Sequence, residues 1–524
     1  MSIDLLLKDG LVINGAENAV PCKADVAIEG DLIKAVGDLS HVDAERTINI
    51  KGQCICPGFI DVHSHSEFTL LADGRAEGKI SQGITTEING NCGMSAAPLF
   101  GEALEHRDRE LHELGIKERW NTFDEYFALL EKKQFSVNFV TLTGHGNLRA
   151  SVKGYSDEPL KSNELNKMID LLKSSMAQGS KGLSTGLIYP PGVYSDTREI
   201  IALACETAVH DGMYTTHMRS EGDELVESIE EVLKIAEESG VHAHVSHLKT
   251  SDEKNWNKLD RVFGLIENSQ KSGATITCDR YPYIASSTDL DAVLPSWAFE
   301  GGRKKEISRL MNERVRLSED ILRQHPDPAC WQKVVISSVN LNRNKWMEGK
   351  SLAEIAETTN RPPLTCLFDL LIEEELMVGA IYFVMNEDNL KSILKQRYTM
   401  IGSDSSARSF NGLTATGKPH PRGFGSFPRI LGRYVKEQGV LNLEEAVYKM
   451  TGLPAKTFRM DRRGMLAQGY YADITVFDPE TVLDKADYTN PFQRPEGIHH
   501  VFINGSQVLH DGEPTGSLPG RIIR

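Results

Sequence analysis

Through the middle of this chain, short apolar runs rich in β-branched residues alternate with longer stretches whose apolar residues recur every three or four positions. The first pattern is that of buried strands and the second that of amphipathic helices. We place eight core strands near residues 58–63, 84–89, 137–143, 181–185, 213–217, 242–247, 274–279 and 399–404. A typical intervening helix is DELVESIEEVLKIAEESG, which stops at Gly240, a natural helix terminator. Eight strands alternating with helices predict an α/β fold, a (βα)8 TIM-like barrel over residues 58–458. Two further strand-like runs, KVVISSVNL and VGAIYFV, fall between the seventh and eighth core strands. An inserted subdomain or lid is therefore expected at about residues 285–398, with EISRLMNERVRLSEDILRQH on its outside.

The two ends of the chain read differently. Up to Pro57 the pattern is short alternating runs divided by glycines, and the last 60 or so residues repeat that style, with Asn504-Gly505 as a hairpin turn. A sheet of two or three strands buries little by itself. Residues 1–57 and 459–524 are thus predicted to pair into one composite β-sandwich domain.

Composition narrows the partners. A chain of 524 residues that is 40% hydrophobic can bury a large core and favours more than one domain. A formal charge of -16 leaves no footprint for nucleic acid or an anionic membrane surface. The eight cysteines are scattered, which suits a reducing compartment, and no secretory leader pattern or span of about 18 apolar residues is present. These features predict a soluble, cytoplasmic protein with a small-molecule partner; the oligomeric state stays open.

Candidate chemistry begins at His63-Ser-His65, in PGFIDVHSHSE. Side chains two apart on a strand share a side, and neutral imidazole suits zinc and its neighbours. Similar residue types recur where later strands stop: Cys92, His217, His247 and Asp404. In a parallel barrel the catalytic groups occupy these C-terminal strand ends. Six such residues point to a metal centre.

These segments, together with GNCGMSAAP, GLSTGLIYPPGVYSD, THMRSEGD, VSHLK, DRYPYIASST, IGSDSSAR, HPRGFGSFPRILG, TGLPAKTFRM and YADITVFDP, carry a resemblance that covers nearly the whole chain. The chain resembles the amidohydrolase superfamily and, within it, the N-acyl-D-amino-acid deacylases (D-aminoacylases). The resemblance implies zinc-dependent hydrolysis of N-acyl-D-amino acids, with His63, His65, Cys92, His217, His247 and Asp404 as ligands. Many members of the superfamily bridge two metals with a carboxylated lysine on the fourth strand. Here that strand reads GLSTG with Ser184 in its middle, and Lys181 lies at the strand's start. The resemblance implies that the Cys92 thiolate supplies the missing negative charge. Cys92, His217 and His247 would then hold one tight zinc, and His63, His65 and Asp404 a second, weaker site. Asp404 would be the general base that takes a proton from the attacking water and returns it to the departing nitrogen.

The carboxylate of an N-acyl-amino acid needs fixed donors. The candidates are Tyr189, Tyr281, Tyr283, Ser286, Ser287, Arg219, Lys249, Arg408 and Arg422. By resemblance Tyr189, Lys249, Tyr281 and Ser287 face the pocket. Arg408 with Lys249 would suit an acidic side chain, but acidic and apolar D-amino acids both remain open. His145 is expected as a polar contact or a ligand-orienting histidine, and His244 as a core residue. The competing functions are hydrolysis of cyclic amides (hydantoinase or dihydroorotase type) or isoaspartyl dipeptides, and a non-catalytic scaffold. The preference for the D isomer rests on the resemblance alone.

Overall fold

The computed structural model describes residues 3–524. Five strands come first: β1 (Ile3–Val12), β2 (Cys22–Glu29), β3 (Leu32–Gly37), β4 (Ala44–Asn49) and β5 (Cys54–Pro57). The chain then steps directly into β6 (Phe59–Asp61), followed by β7 (Ile84–Asn89), β8 (Asn138–Thr141) and its short continuation β9 (Thr143–Gly144). Next come β10 (Gly182–Gly186), β11 (Met213–His217), β12 (His242–Val245) and β13 (Ile276–Arg280). Three more strands, β14 (Ser286–Asp289), β15 (Val334–Ser338) and β16 (Gly379–Tyr382), precede β17 (Thr399–Ile401). The chain closes with β18 (Ile474–Phe477), β19 (Ile498–Ile503), β20 (Ser506–His510) and β21 (Glu513–Pro514).

Parallel ladders join β6 to β7 and β8, and β9 through β10, β11, β12 and β13 to β17. Isolated hydrogen bonds close the two seams. Lys181 N donates to Thr141 O at 2.9 Å, and across the other seam Asp404 N donates to His63 O at 2.8 Å and His65 N to Ser405 O at 3.2 Å. The second seam is therefore closed by the residues that carry the candidate chemistry. On the outside, the amphipathic helix Leu225–Ser239 buries Leu225, Ile229, Val232 and Ile235 and ends at Gly240 with φ 71°. Each such buried aliphatic contributes roughly 1.5–3 kcal/mol.

The insertion is a subdomain with its own core. Its strands form an antiparallel sheet in the order β14-β16-β15, and Leu290, Leu310, Ile336, Leu352 and Leu367 cluster beneath it. At the chain ends, β18 pairs antiparallel with β5, so the two terminal segments build one unit. The expected sandwich is, in hydrogen-bonding terms, a continuous nine-stranded sheet. It forks at β1, whose first half pairs with β4 and whose end pairs with β5. The last residues leave this unit. Phe139 N donates to Arg521 O and Ile523 N to Phe139 O, both at 2.9 Å, because Ile522 and Ile523 find apolar cover against the barrel. Among the described residues, no helix is long and apolar enough to cross a membrane.

Candidate metal centre and catalytic site

All six candidate ligands converge at one end of the barrel. Cys92 Sγ lies 3.3 Å from His63 Nε2 and 3.5 Å from His247 Nε2, between the two imidazoles. Asp404 Oδ1 lies 3.5 Å from His63 Nε2 and 3.3 Å from His65 Nε2. One donor atom each from His63, Cys92, His247 and Asp404 falls within 4.8 Å of the others. His217 packs edge-on against His247, ring centroids 4.5 Å apart. Ladder pairing stops before most of these residues, and turns aim them inward. Cys92, His247 and Asp404 have φ of 53°, 37° and 51°, in the left-handed region that non-glycine residues rarely occupy. Such backbone costs on the order of 1–3 kcal/mol per residue and persists where the surroundings enforce it. Gly402 lets the two seam strands meet: a Cβ there would lie 2.6 Å from His63 Cβ.

The electrostatics suit a cation. Burial alone would push the Cys92 thiol up, but the imidazoles of His63, His217 and His247 outweigh it and hold the thiol well below its usual range, as thiolate. Burial likewise pushes Asp404 up, and Arg422 with His63 and His247 overcomes this and keeps the carboxyl well below the ordinary range. His217 is buried, and neither of its ring nitrogens has a hydrogen-bond partner among the described residues. Buried polar groups are nearly always satisfied, so these orphaned nitrogens beside a thiolate fit a zinc-type ion.

The surroundings orient the ligands. Asp279 Oδ2 lies 3.1 Å from His63 Nδ1, and Glu221 Oε1 lies 2.9 Å from His247 Nδ1. A carboxylate behind an imidazole fixes its tautomer and aims the other nitrogen at the metal. Neither acid was anticipated, although both stand in the DRYPY and THMRSEGD segments. His244, expected in the core, is the second histidine on Asp279, at 2.9 Å. Ser184, in the middle of β10, has its hydroxyl bonded to Gly90 O and accepts from Gly93 N at 3.1 Å. It thereby clamps the loop that presents Cys92. Beneath the seam, the ammonium of Lys79 lies 2.7 Å from both Asp61 Oδ2 and Glu87 Oε1 and donates to Ser64 Oγ, Ser403 Oγ and Ser405 O. One buried cation thus ties the turn of His63 and His65 to the turn of Asp404.

A cavity of about 310 Å³ opens beside the ring, lined in part by His65, Ser287, Asp289, Asp404, Arg408 and Arg422. Arg422 lies 2.8 Å from Asp404 Oδ2, donates to Ser287 O at 3.2 Å and stacks on Tyr281. Tyr281 is buried and its hydroxyl has no partner among the described residues. Arg408 donates to the carbonyls of Thr414 and Thr416. Tyr189 packs on His217, and its hydroxyl lies 3.3 Å from Thr288 Oγ1. Lys249 Nζ sits 2.5 Å from Glu221 Oε1 and 2.7 Å from His247 Nδ1. Other candidates are engaged elsewhere, although Tyr283 packs beside Tyr281. Arg219 is committed to Glu231, His145 to Glu199, and Tyr283 stacks under Arg429.

Known proteins resemble this chain over its full length. A family model described as "Amidohydrolase family" matches residues 46–514. The chain is 36% identical to a D-aminoacylase of Alcaligenes xylosoxydans xylosoxydans, over 99% of this chain and 97% of that protein. It is 35% identical to an N-acyl-D-glutamate deacylase of the same organism, over 100% of this chain and 96% of the relative. A solved N-acyl-D-glutamate deacylase from Bordetella bronchiseptica, complexed with zinc and a phosphonate mimic of the tetrahedral intermediate, superposes with a TM-score of 0.85 at 32% identity, covering all of both chains. With the barrel, the ligand ring and similarity over the full length, this chain belongs to the amidohydrolase family, in its D-aminoacylase branch.

Proposed function

We propose that this protein hydrolyses N-acyl-D-amino acids to a carboxylate and the free D-amino acid, with zinc held tightly by Cys92, His217 and His247. His63, His65 and Asp404 form a second, weaker site, and Cys92, between His63 and His247, can serve both. The observation that carries this reading is the convergence of six ligand-type side chains at one end of the barrel, with His65 and the Asp404 carboxylate lining the cavity beside them. Bound zinc would supply the Lewis acidity that polarises the scissile carbonyl and lowers the pKa of water. The chain's own residues do the rest. Asp404, kept anionic by Arg422, accepts the proton of the attacking water and delivers it to the leaving nitrogen. Its left-handed backbone and the bond from its own N–H to His63 O fix the carboxylate for that task.

Tyr189, Lys249, Tyr281, Ser287 and Arg408 are assigned to substrate contact, and Arg422 joins them by its place between Asp404 and Ser287 O. The free Tyr281 hydroxyl is a ready donor to a carboxylate. Glu221 pairs with Lys249 and leaves the ammonium's other protons for the substrate, while His247 turns its Nδ1–H to the same carboxylate. Cyclic amides are disfavoured because Ser184, engaged with the Cys92 loop, replaces the bridging lysine. Residues 58–458 are taken as the catalytic barrel and the two ends as its β domain, without the tail that returns to β8. Eight free thiols support a cytoplasmic setting. The test is a panel of N-acetyl-D- and N-acetyl-L-amino acids, hydantoin and dihydroorotate offered to zinc-loaded protein. Amine release from the D isomers is expected, and turnover of a cyclic substrate alone would overturn the proposal.

A further inference from the structure

A second histidine cluster lies in the β domain. His500 of β19 and His510 of β20 are direct partners across their antiparallel ladder, and their rings stack with centroids 5.4 Å apart and planes at 21°. Asp511 follows in the turn before β21, with φ 47°. Its Oδ1 lies 3.7 Å from His500 Nε2 and its Oδ2 lies 3.6 Å from His510 Nε2. These separations are too long for hydrogen bonds. They are close to the nitrogen–oxygen spacing of about 3.4 Å that tetrahedral coordination with bonds of about 2.0–2.1 Å requires. One donor atom from each of the three residues lies within 4.8 Å of the others.

The rings are also held from behind. The side-chain amide of Gln507 lies 3.2 Å from Nδ1 of both His500 and His510. The same amide nitrogen donates to Leu509 O at 3.1 Å, so Gln507 ties both rings to the strand. Both rings are held with their Nε2 edges toward Asp511. His500 is only 5% exposed and so already ordered, whereas the side chains of His510 and Asp511 are 52% and 70% exposed and open to solvent ions.

We propose that His500, His510 and Asp511 form a divalent-metal site on the β domain, separate from the barrel centre. Two imidazoles and one carboxylate select zinc-type ions such as Zn²⁺, Co²⁺, Ni²⁺ or Cu²⁺ over Mg²⁺ and Ca²⁺. A bound ion would tie β19 to the turn that follows β20, and its binding energy would add to the stability of this domain.

Equilibrium dialysis against zinc at neutral pH, followed by metal analysis of the full-length chain, tests this. The wild type should hold one equivalent more than His510→Ala, while Cys92→Ala should keep that equivalent. Asp511→Asn should weaken it at least tenfold, and hydrolysis by His510→Ala should match the wild type. Equal zinc content in wild type and His510→Ala would overturn the proposal, as would displacement of the extra equivalent by an equal concentration of Mg²⁺.

Discussion

Where β6 meets β17, the fully buried Lys79 is met by Asp61 and Glu87, whereas in the insertion the buried Glu306 shares its surroundings with a second acid. Burial pulls the Lys79 ammonium down, but Asp61 and Glu87 outweigh it and hold it above its ordinary value. Burial pushes the Glu306 carboxyl up to about 8, with Arg303 and Arg309 opposing and Asp289 adding to the rise. One region has its charge fixed and the other responds to pH. The turns bearing His63, His65 and Asp404 hang on the fixed region, while the responsive one only borders the cavity. The turns bearing His63, His65 and Asp404 are thus anchored on an ammonium held in its charged form, while Glu306, and Asp289 at the cavity's edge, titrate.

The comparison can be broken at several points. Cys92→Ala removes the group between both sets of ligands, so the barrel zinc should be lost and turnover should fall to background, with only the equivalent at His500, His510 and Asp511 left, as metal analysis and D-amino acid release will show. Asp404→Ala should keep the tight zinc and lose roughly 10²–10⁴-fold in kcat, the usual worth of general base catalysis. Lys79→Met leaves two carboxylates buried without their cation. Breaking such a group costs about 3–5 kcal/mol, and a small misplacement of the Asp404 turn costs about 10²-fold in rate. The expected result is a lower unfolding midpoint in denaturant and a lower kcat with KM little changed; a change in KM alone would place Lys79 outside the positioning role. The smallest effect belongs to Glu306. Its folded pKa near 8 exceeds its ordinary 4.5, so its contribution to stability is fully present below about pH 4.5 and is lost as pH rises through 8. Amide protection factors in the insertion, which divide out the intrinsic pH dependence of exchange, should therefore fall between pH 5 and 8 in the wild type and much less in Glu306→Gln.

Much of this was legible in the sequence, and what was not has a common cause. The eight strand positions follow from apolar periodicity, a local property, and the six ligand candidates follow from counting polar residues where those runs stop. The partners that orient the ligands are far apart in sequence: Asp279 reaches His63 across 216 positions. No local pattern marks such a pair. Lys79 reads as an ordinary helix lysine until the fold closes over it. Arg422 was one arginine among several, and only its contact with Asp404 sets it apart from Arg219, which turns to Glu231. The left-handed backbone at Cys92 is equally silent, since cysteine carries no turn signature.

The central claim is that the residues around Cys92 hold zinc for hydrolysis of N-acyl-D-amino acids. Titrating metal-free protein with zinc while following release of the free D-amino acid tests it most directly. Activity should rise in step with the first tightly bound equivalent and should be absent with the L isomer or with Cys92→Ala. Hydrolysis that proceeds at full rate without zinc, or that persists in Cys92→Ala, would contradict the account.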